Sequence, residues 1–236
     1  MKLTYIRWSM TLIETAGLTL ITDPVFRVLG FHQSPRSYTF ERLPRPDFVF
    51  ISHTHVDHFS PPVLKRLDPD TPVWMPADQV RRAARLGLKG LRGVQAWETE
   101  EIKGIRLTAV PAVHSGGELG LVVEGDRTVY FAGDTSLDRD LFREIGRRWK
   151  LDAVLLPIGD LRMLGLSLRH LGPRKAAQAL RLLGEPPVVV PTHYSGMTLG
   201  PFLHFRGTPR KLSQAIQQAE LGTLLGTSRP LEKVEI

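Results

Sequence analysis

Cysteine is absent from the 236 residues. That removes disulfides, zinc–thiolate sites and a cysteine nucleophile together, so any bound metal must sit on nitrogen and oxygen. Asparagine is absent too, while proline reaches 18 residues; avoiding a thermolabile amide and stiffening loops suits a thermophilic source. No apolar run approaches the about 18 residues of a membrane-span candidate. The best, residues 154–158 and 188–190, are short, meet Pro or Gly and read as buried strands. The opening residues 1–8 lack a signal peptide's apolar core and small-residue cleavage site, so the expected compartment is the cytoplasm. No Walker loop or dinucleotide glycine fingerprint accompanies a strand and helix, which argues against ATP and NAD chemistry.

What the chain does have is basic charge and alternating short apolar segments. Lys and Arg number 31 against 24 Asp and Glu, a formal net charge of +7, which favours a small anionic substrate. The basic residues are spread along the chain without a polybasic tail or nucleic-acid motif, so no specific nucleic-acid partner is expected. Strands are predicted at residues 4–8, 10–14, 18–22 and 47–52, with a long Pro-, Ser- and Arg-rich loop over 31–46. Arg27 and Arg36 are cationic candidates for substrate contact where that loop covers a pocket. Ser60 followed by two prolines starts a helix predicted to reach Leu67, and a second helix is predicted over 77–86. Strands then follow at 105–110, 119–124 and 128–132, and residues 141–221 alternate helices at 141–149, 173–183 and 208–221 with strands at 153–157 and 188–191. Without repeats or a linker, residues 1–236 read as one α/β domain of two sheets flanked by helices.

The densest chemistry is Ser52-His53-Thr54-His55-Val56-Asp57-His58-Phe59, directly after an apolar strand. Four potential ligands in six residues are costly in a core unless they share a partner, and a metal ion is such a partner. In extended backbone His53, His55 and Asp57 would share one face, while a turn at Val56-Asp57 would swing His58 toward a second centre. His114, Asp134 and His193 each follow a predicted strand, where α/β proteins gather their chemistry.

With these motifs the chain resembles the metallo-β-lactamase fold superfamily, in the branch of N-acyl-phosphatidylethanolamine phospholipase D and the ascorbate-6-phosphate lactonases. The resemblance rests on Thr22-Asp23-Pro24, on the histidine cluster, on His114 and on Phe131-Ala132-Gly133-Asp134-Thr135. It continues through Pro157-Ile158-Gly159, His170, Pro173 and His193. It implies a four-layer αββα sandwich and two divalent ions per chain, with zinc expected and manganese or iron as alternatives. His53, His55 and His114 would hold one ion, and Asp57, His58 and His193 the other, with Asp134 bridging. Asp23 would steady the histidine loop. The resemblance also makes Asp57, His58 and Asp134 catalytic through the metals, and gives His170 a role at the reacting centre outside the metal set. Two departures stand out: Arg7-Trp8-Ser9 replaces a Gly-His pair of that branch, and Tyr194 stands where a tryptophan often follows the last histidine.

The chemistry implied is hydrolysis of a small phosphodiester, lactone or related ester, because paired divalent ions acidify water and stabilise charge on the attacked centre. Ser52, Ser60, Ser115 and Ser195 lie near site positions but have no acid–base triad apart from the metal histidines. An RNA-processing nuclease of the same superfamily is the enzyme alternative. A noncatalytic binding protein that kept the fold is the other, and the complete ligand set argues against it.

Overall fold

The computed structural model describes residues 1–28, 31–32, 38–114, 117–164, 166–167, 171–194, 200, 202–227 and 229–236. His170, Arg36, Ser115 and Ser195 lie outside them.

Two seven-stranded sheets dominate the described residues. In the first the spatial order is Lys233–Glu235, Lys2–Arg7, Met10–Thr15, Leu18–Thr22, Phe48–Phe50, Val73–Pro76, Leu91–Val94. In the second it is Leu224–Leu225, Val188–Thr192, Ala153–Pro157, Thr128–Phe131, Leu119–Glu124, Ile105–Pro111, Thr99–Ile102. The helices are α1 (Pro61–Leu64), α2 (Arg139–Arg148), α3 (Pro173–Leu182) and α4 (Pro209–Gln218).

The layering follows from which faces of each strand are apolar. Phe48-Val49-Phe50-Ile51 is fully buried on both sides, as a central parallel strand must be. Phe48 and Phe50 join Leu20, Trp74, Leu121, Phe131 and Leu155 between the sheets. Val49 and Ile51, with the opposite pleat, meet Val63, Leu64 and Leu67 around α1. On the outer face of the second sheet, Val154, Leu156 and Val189 pack on Phe142 and Ile145 of α2, Ala176 and Leu180 of α3 and Leu212 of α4. The result is the expected αββα sandwich. No helix among the described residues is long and apolar enough to cross a membrane.

The predicted helix over 77–86 does not form. Only a 3₁₀ turn at Val80–Arg82 appears, continued by bonds from Ala83 N to Val80 O and from Leu86 N to Ala83 O. Val80, Ala83 and Leu86, the residues that pack inward, recur every third position, which suits three residues per turn rather than 3.6. The helix after Ser60 is likewise shorter than expected, because Arg66 and Leu67 bond to Val63 and Leu64 three residues back. The short edge strands, such as Leu91–Val94 and Thr99–Ile102, were not anticipated. Thr99–Ile102 is held by a hairpin onto Ile105–Pro111, with Lys103 and Gly104 both at positive φ, as a two-residue turn of this kind requires.

Both sheets carry parallel strands at their centres. Leu18–Thr22, Phe48–Phe50 and Val73–Pro76 run together in one; Thr128–Phe131, Ala153–Pro157 and Val188–Thr192 run together in the other. The residues just beyond these strands include Asp23, His53, Asp134 and His193. Backbone bonds close the two sheets there: Leu119 N–H donates to Ser52 O at 3.1 Å, and His193 N–H donates to Trp8 O at 2.8 Å.

Candidate metal centre

The histidine loop leaves its strand after Phe50 and runs without regular structure to Thr54, then turns tightly as the amides of His58 and Phe59 both bond to His55 O, at 3.0 and 2.8 Å. This turn splits the cluster. His53, His55 and His114 bring one nitrogen each within 4.8 Å of one another, and Asp57, His58, Asp134 and His193 do the same with one ligand atom each. The two groups adjoin, with the rings of His53 and His58 4.2 Å apart. The extended-backbone expectation that Asp57 would share a face with His53 and His55 is therefore corrected: the turn carries Asp57 away with His58. Asp134, which the resemblance implies as a bridge, falls within the second group. His55 is exposed and His53 buried, so the first group opens to solvent, whereas His58, Asp134 and His193 are buried.

Carboxylates close the second group. Asp134 Oδ2 lies 3.3 Å from His58 Nε2 and 3.1 Å from His193 Nε2, and Asp57 Oδ2 lies 3.3 Å from His193 Nε2. Burial pulls the His58 pKa down, but Asp134, Asp57 and Asp23 overcome it and hold the imidazole well above its usual range. Burial raises Asp57 in turn, yet His58 and His193 outweigh it and bring the carboxyl below its ordinary value. Three carboxylates thus gather positive charge at His58, the electrostatic setting in which a cation is at home. His53 is the opposite case: burial, reinforced by His58, lowers its pKa and keeps the ring neutral with a lone pair to offer.

The backs of these rings are held. Asp23 Oδ1 accepts from Ser52 N–H at 2.7 Å, and Oδ2 accepts from Ser52 Oγ–H and from His58 Nδ1–H, each at 2.7 Å. Ser52 Oγ lies 3.1 Å from His53 Nδ1 and, having given its proton to Asp23, accepts there. With Nδ1 engaged on both rings, Nε2 is left to face the centre. Nε2 of His53 and Nε2 of His58 are buried and have no hydrogen-bond partner among the described residues. Orphaned nitrogens amid carboxylates, with carboxylate and hydroxyl support behind, fit a divalent metal bound by nitrogen and oxygen. Burial raises the Asp23 pKa, and the His58 charge and its hydrogen bonds act against that rise.

Sequence reasoning missed three contributors. Glu118 is 2% exposed; its Oε1 lies 3.3 Å from His53 Nδ1 and accepts from Asp134 N–H. Burial and the Asp134 charge push its carboxyl well above the usual range. Its only trace in the sequence is an acid set directly before the apolar run 119–123. Gln79 holds the loop from outside, its Oε1 accepting from Thr54 N–H at 2.7 Å and Oγ1–H at 2.8 Å. Trp8 presents its ring edge-on to His193, centroids 4.6 Å apart. Trp8, Asp23 and His193 all adopt positive φ, at 52°, 40° and 50°, a costly conformation for these residues that collects at functional sites.

Of the cationic candidates, Arg27 is exposed and lines a 370 Å³ cavity with Phe26, Tyr38, Phe40 and Arg66 above α1. A larger groove of 640 Å³ is lined by Arg162, Arg174, Lys175, Arg206 and Lys211, together with Asp160 and Gly172. Asp160 directly follows Gly159, which packs so closely on the His193 carbonyl and the Phe205 ring that no side chain fits there.

Residues 19–194 match the family described as beta-lactamase superfamily domain. A UPF0173 metal-dependent hydrolase of Polaromonas sp. is 30% identical over 246 residues, covering 93% of this chain and 83% of the relative. Another, from Methanopyrus kandleri, is 27% identical with 100% of both chains covered. Among solved structures, Igni18, a metallo hydrolase from the hyperthermophilic archaeon Ignicoccus hospitalis, aligns with a TM-score of 0.80 at 25% identity, over 99% of this chain and 97% of its own. The chain belongs to the beta-lactamase superfamily, with the metallo-β-lactamase fold, and is a metal-dependent hydrolase.

Proposed function

We propose that the enzyme, acting as a single domain of residues 1–236, hydrolyses a small phosphodiester, lactone or related ester at two divalent ions, with zinc as the expected metal and manganese or iron as alternatives. The observation that carries this reading is the adjacency of two ligand groups, one of three histidines and one of two histidines and two aspartates. When bound, such a pair acidifies water and stabilises negative charge on an attacked carbonyl or phosphoryl centre. His53, His55 and His114 would hold one ion, and Asp57, His58 and His193 the other, with Asp134 between them. Asp23 keeps the His58 ring in the orientation that presents Nε2. The solvent-facing His55 side leaves an approach for substrate. His170 is assigned to donate a hydrogen bond to a substrate oxygen or a proton to the leaving group.

Ser52 does lie beside two histidines and an aspartate, but it is fully buried and its hydroxyl donates to Asp23, so substrate has no access to it as a nucleophile. The cation-lined groove beside Asp160, which the candidate metal ligands do not line, suits an anionic group, and the net basic charge is the feature that favours the nuclease reading. The substrate class of the phospholipase and lactonase branch fits a small anion equally.

The test is to strip the protein with chelator, reload it with zinc, manganese or iron, and assay it against phosphodiesters, phosphomonoesters, lactones and RNA. Metal-dependent turnover of a small ester or diester is expected. Salt-sensitive cleavage of RNA, with no small ester turned over, would move the assignment to the nuclease. Tight partner binding without any turnover would end the hydrolytic reading.

A further inference from the structure

We propose that Glu118 is a positioning residue that ties the two ligand groups together, one carboxyl oxygen serving His53 of the first group and the backbone of Asp134 in the second. The inference rests on the two-metal reading above and extends it to a residue outside the ligand set. Oε1 stands 3.3 Å from His53 Nδ1 and accepts the Asp134 amide proton. Asp23, the other buried carboxylate behind the histidines, engages Ser52 and His58. Asp23 therefore holds His58 directly and reaches His53 only through Ser52, whereas Glu118 ties His53 to the Asp134 backbone.

Several features mark this as a built arrangement. Glu118 is 2% exposed, and burying a carboxyl is costly; Oε1 is engaged, while Oε2 is buried with no hydrogen-bond partner among the described residues. Its own backbone is pinned between both sheets, since its carbonyl accepts from Ala112 N–H at 3.2 Å and the next amide, Leu119, donates to Ser52 O at 3.1 Å. Space for the carboxyl is kept by Gly133: at φ +61° it adopts a conformation that other residues resist, and a Cβ there would come within 2.5 Å of Oε1 and 3.2 Å of Ser52 Cβ. A carboxyl oxygen behind Nδ1 favours the tautomer with its proton on that nitrogen, which frees Nε2 for metal. The same oxygen fixes where the Asp134 backbone starts, so one side chain sets the spacing between a ligand of each group.

The test uses the full chain, freed of metal and titrated with cobalt(II), whose visible bands report the filling of each site. Nitrogen-15 spectra of histidine-labelled metal-free protein report the His53 tautomer in parallel. Glu118→Leu should weaken cobalt binding at the His53 group by about 10- to 100-fold and lower the share of the His53 Nδ1–H tautomer, which Ser52 Oγ alone then supports. Glu118→Gln, which retains an oxygen acceptor, should restore affinity to within about threefold of the parent. A folded Glu118→Leu protein with parental affinity and the Nδ1–H tautomer overturns the proposal, as does a Glu118→Gln protein no better than Glu118→Leu. If Glu118→Leu does not fold, Glu118→Asp decides: it withdraws the oxygen by one methylene, so affinity should fall, and parental affinity overturns the assignment. A parent protein that takes up only one ion would instead overturn the two-metal reading, and the His53 tautomer would still decide the role of Glu118.

Discussion

The indole of Trp8 stands edge-on to the imidazole of His193 at 4.6 Å, and the Trp8 carbonyl accepts the His193 amide at 2.8 Å. A residue of the first hairpin thus supports, by ring and backbone together, a candidate ligand delivered from the opposite sheet. The role of Trp8 in this chain is packing against His193.

Trp8→Ala should therefore act on both stability and metal. Loss of a ring that is 6% exposed is expected to cost about 3–5 kcal/mol. Freeing the His193 ring should weaken the ion of the second group by about 10-fold or more. Urea unfolding and metal titration of the same variant measure the two effects; destabilisation with unchanged metal affinity would confine Trp8 to the core.

Asp134→Ala removes the carboxylate that lies 3.1 Å from His193 Nε2 and 3.3 Å from His58 Nε2. The reacting groups would lose their spacing, and displacement of about 1 Å is enough to cost about 100-fold in rate. The expected result is a fall in kcat of at least that size, with substrate binding less affected. Steady-state kinetics alongside a binding measurement check it, and near-parental kcat would remove Asp134 from the bridging role.

His170→Ala should leave two ions bound and the melting temperature unchanged while kcat/KM falls by about 100-fold, the low end of a general acid–base contribution. Metal content, melting temperature and kcat/KM on one preparation separate this from a structural role, which would lower the melting temperature and spare activity in the cold.

Some of this was legible in the chain and some was not, for physical reasons. The histidine loop is legible because its candidate ligands are clustered and follow an apolar strand, and His114, Asp134 and His193 because each follows a strand that the periodicity marks. The partition of Asp57 was not legible from spacing, since it depends on where the turn at His55–Phe59 closes. Glu118 meets His53 and Trp8 meets His193 across more than 60 residues of sequence (53 against 118, 8 against 193), and no local pattern records such contacts. The stretch 77–86 misled because a three-residue apolar repeat over so few residues resembles the 3.6 period, and the packing selected the tighter turn.

Absent cysteine and asparagine and the 18 prolines predict a heat-resistant fold. Scanning calorimetry of the metal-loaded protein should place its transition above the mesophile range of about 45–65 °C; a transition inside that range would attribute the composition to something other than heat.

Hydrolysis is proposed to need two ions acting together, and elemental analysis of the purified protein coupled to activity tests this most directly. Close to two divalent ions per chain are expected, with hydrolysis lost on chelation and regained only as the second equivalent is returned. Full activity in metal-free protein, or saturation of activity at a single ion with no second one bound, would contradict it.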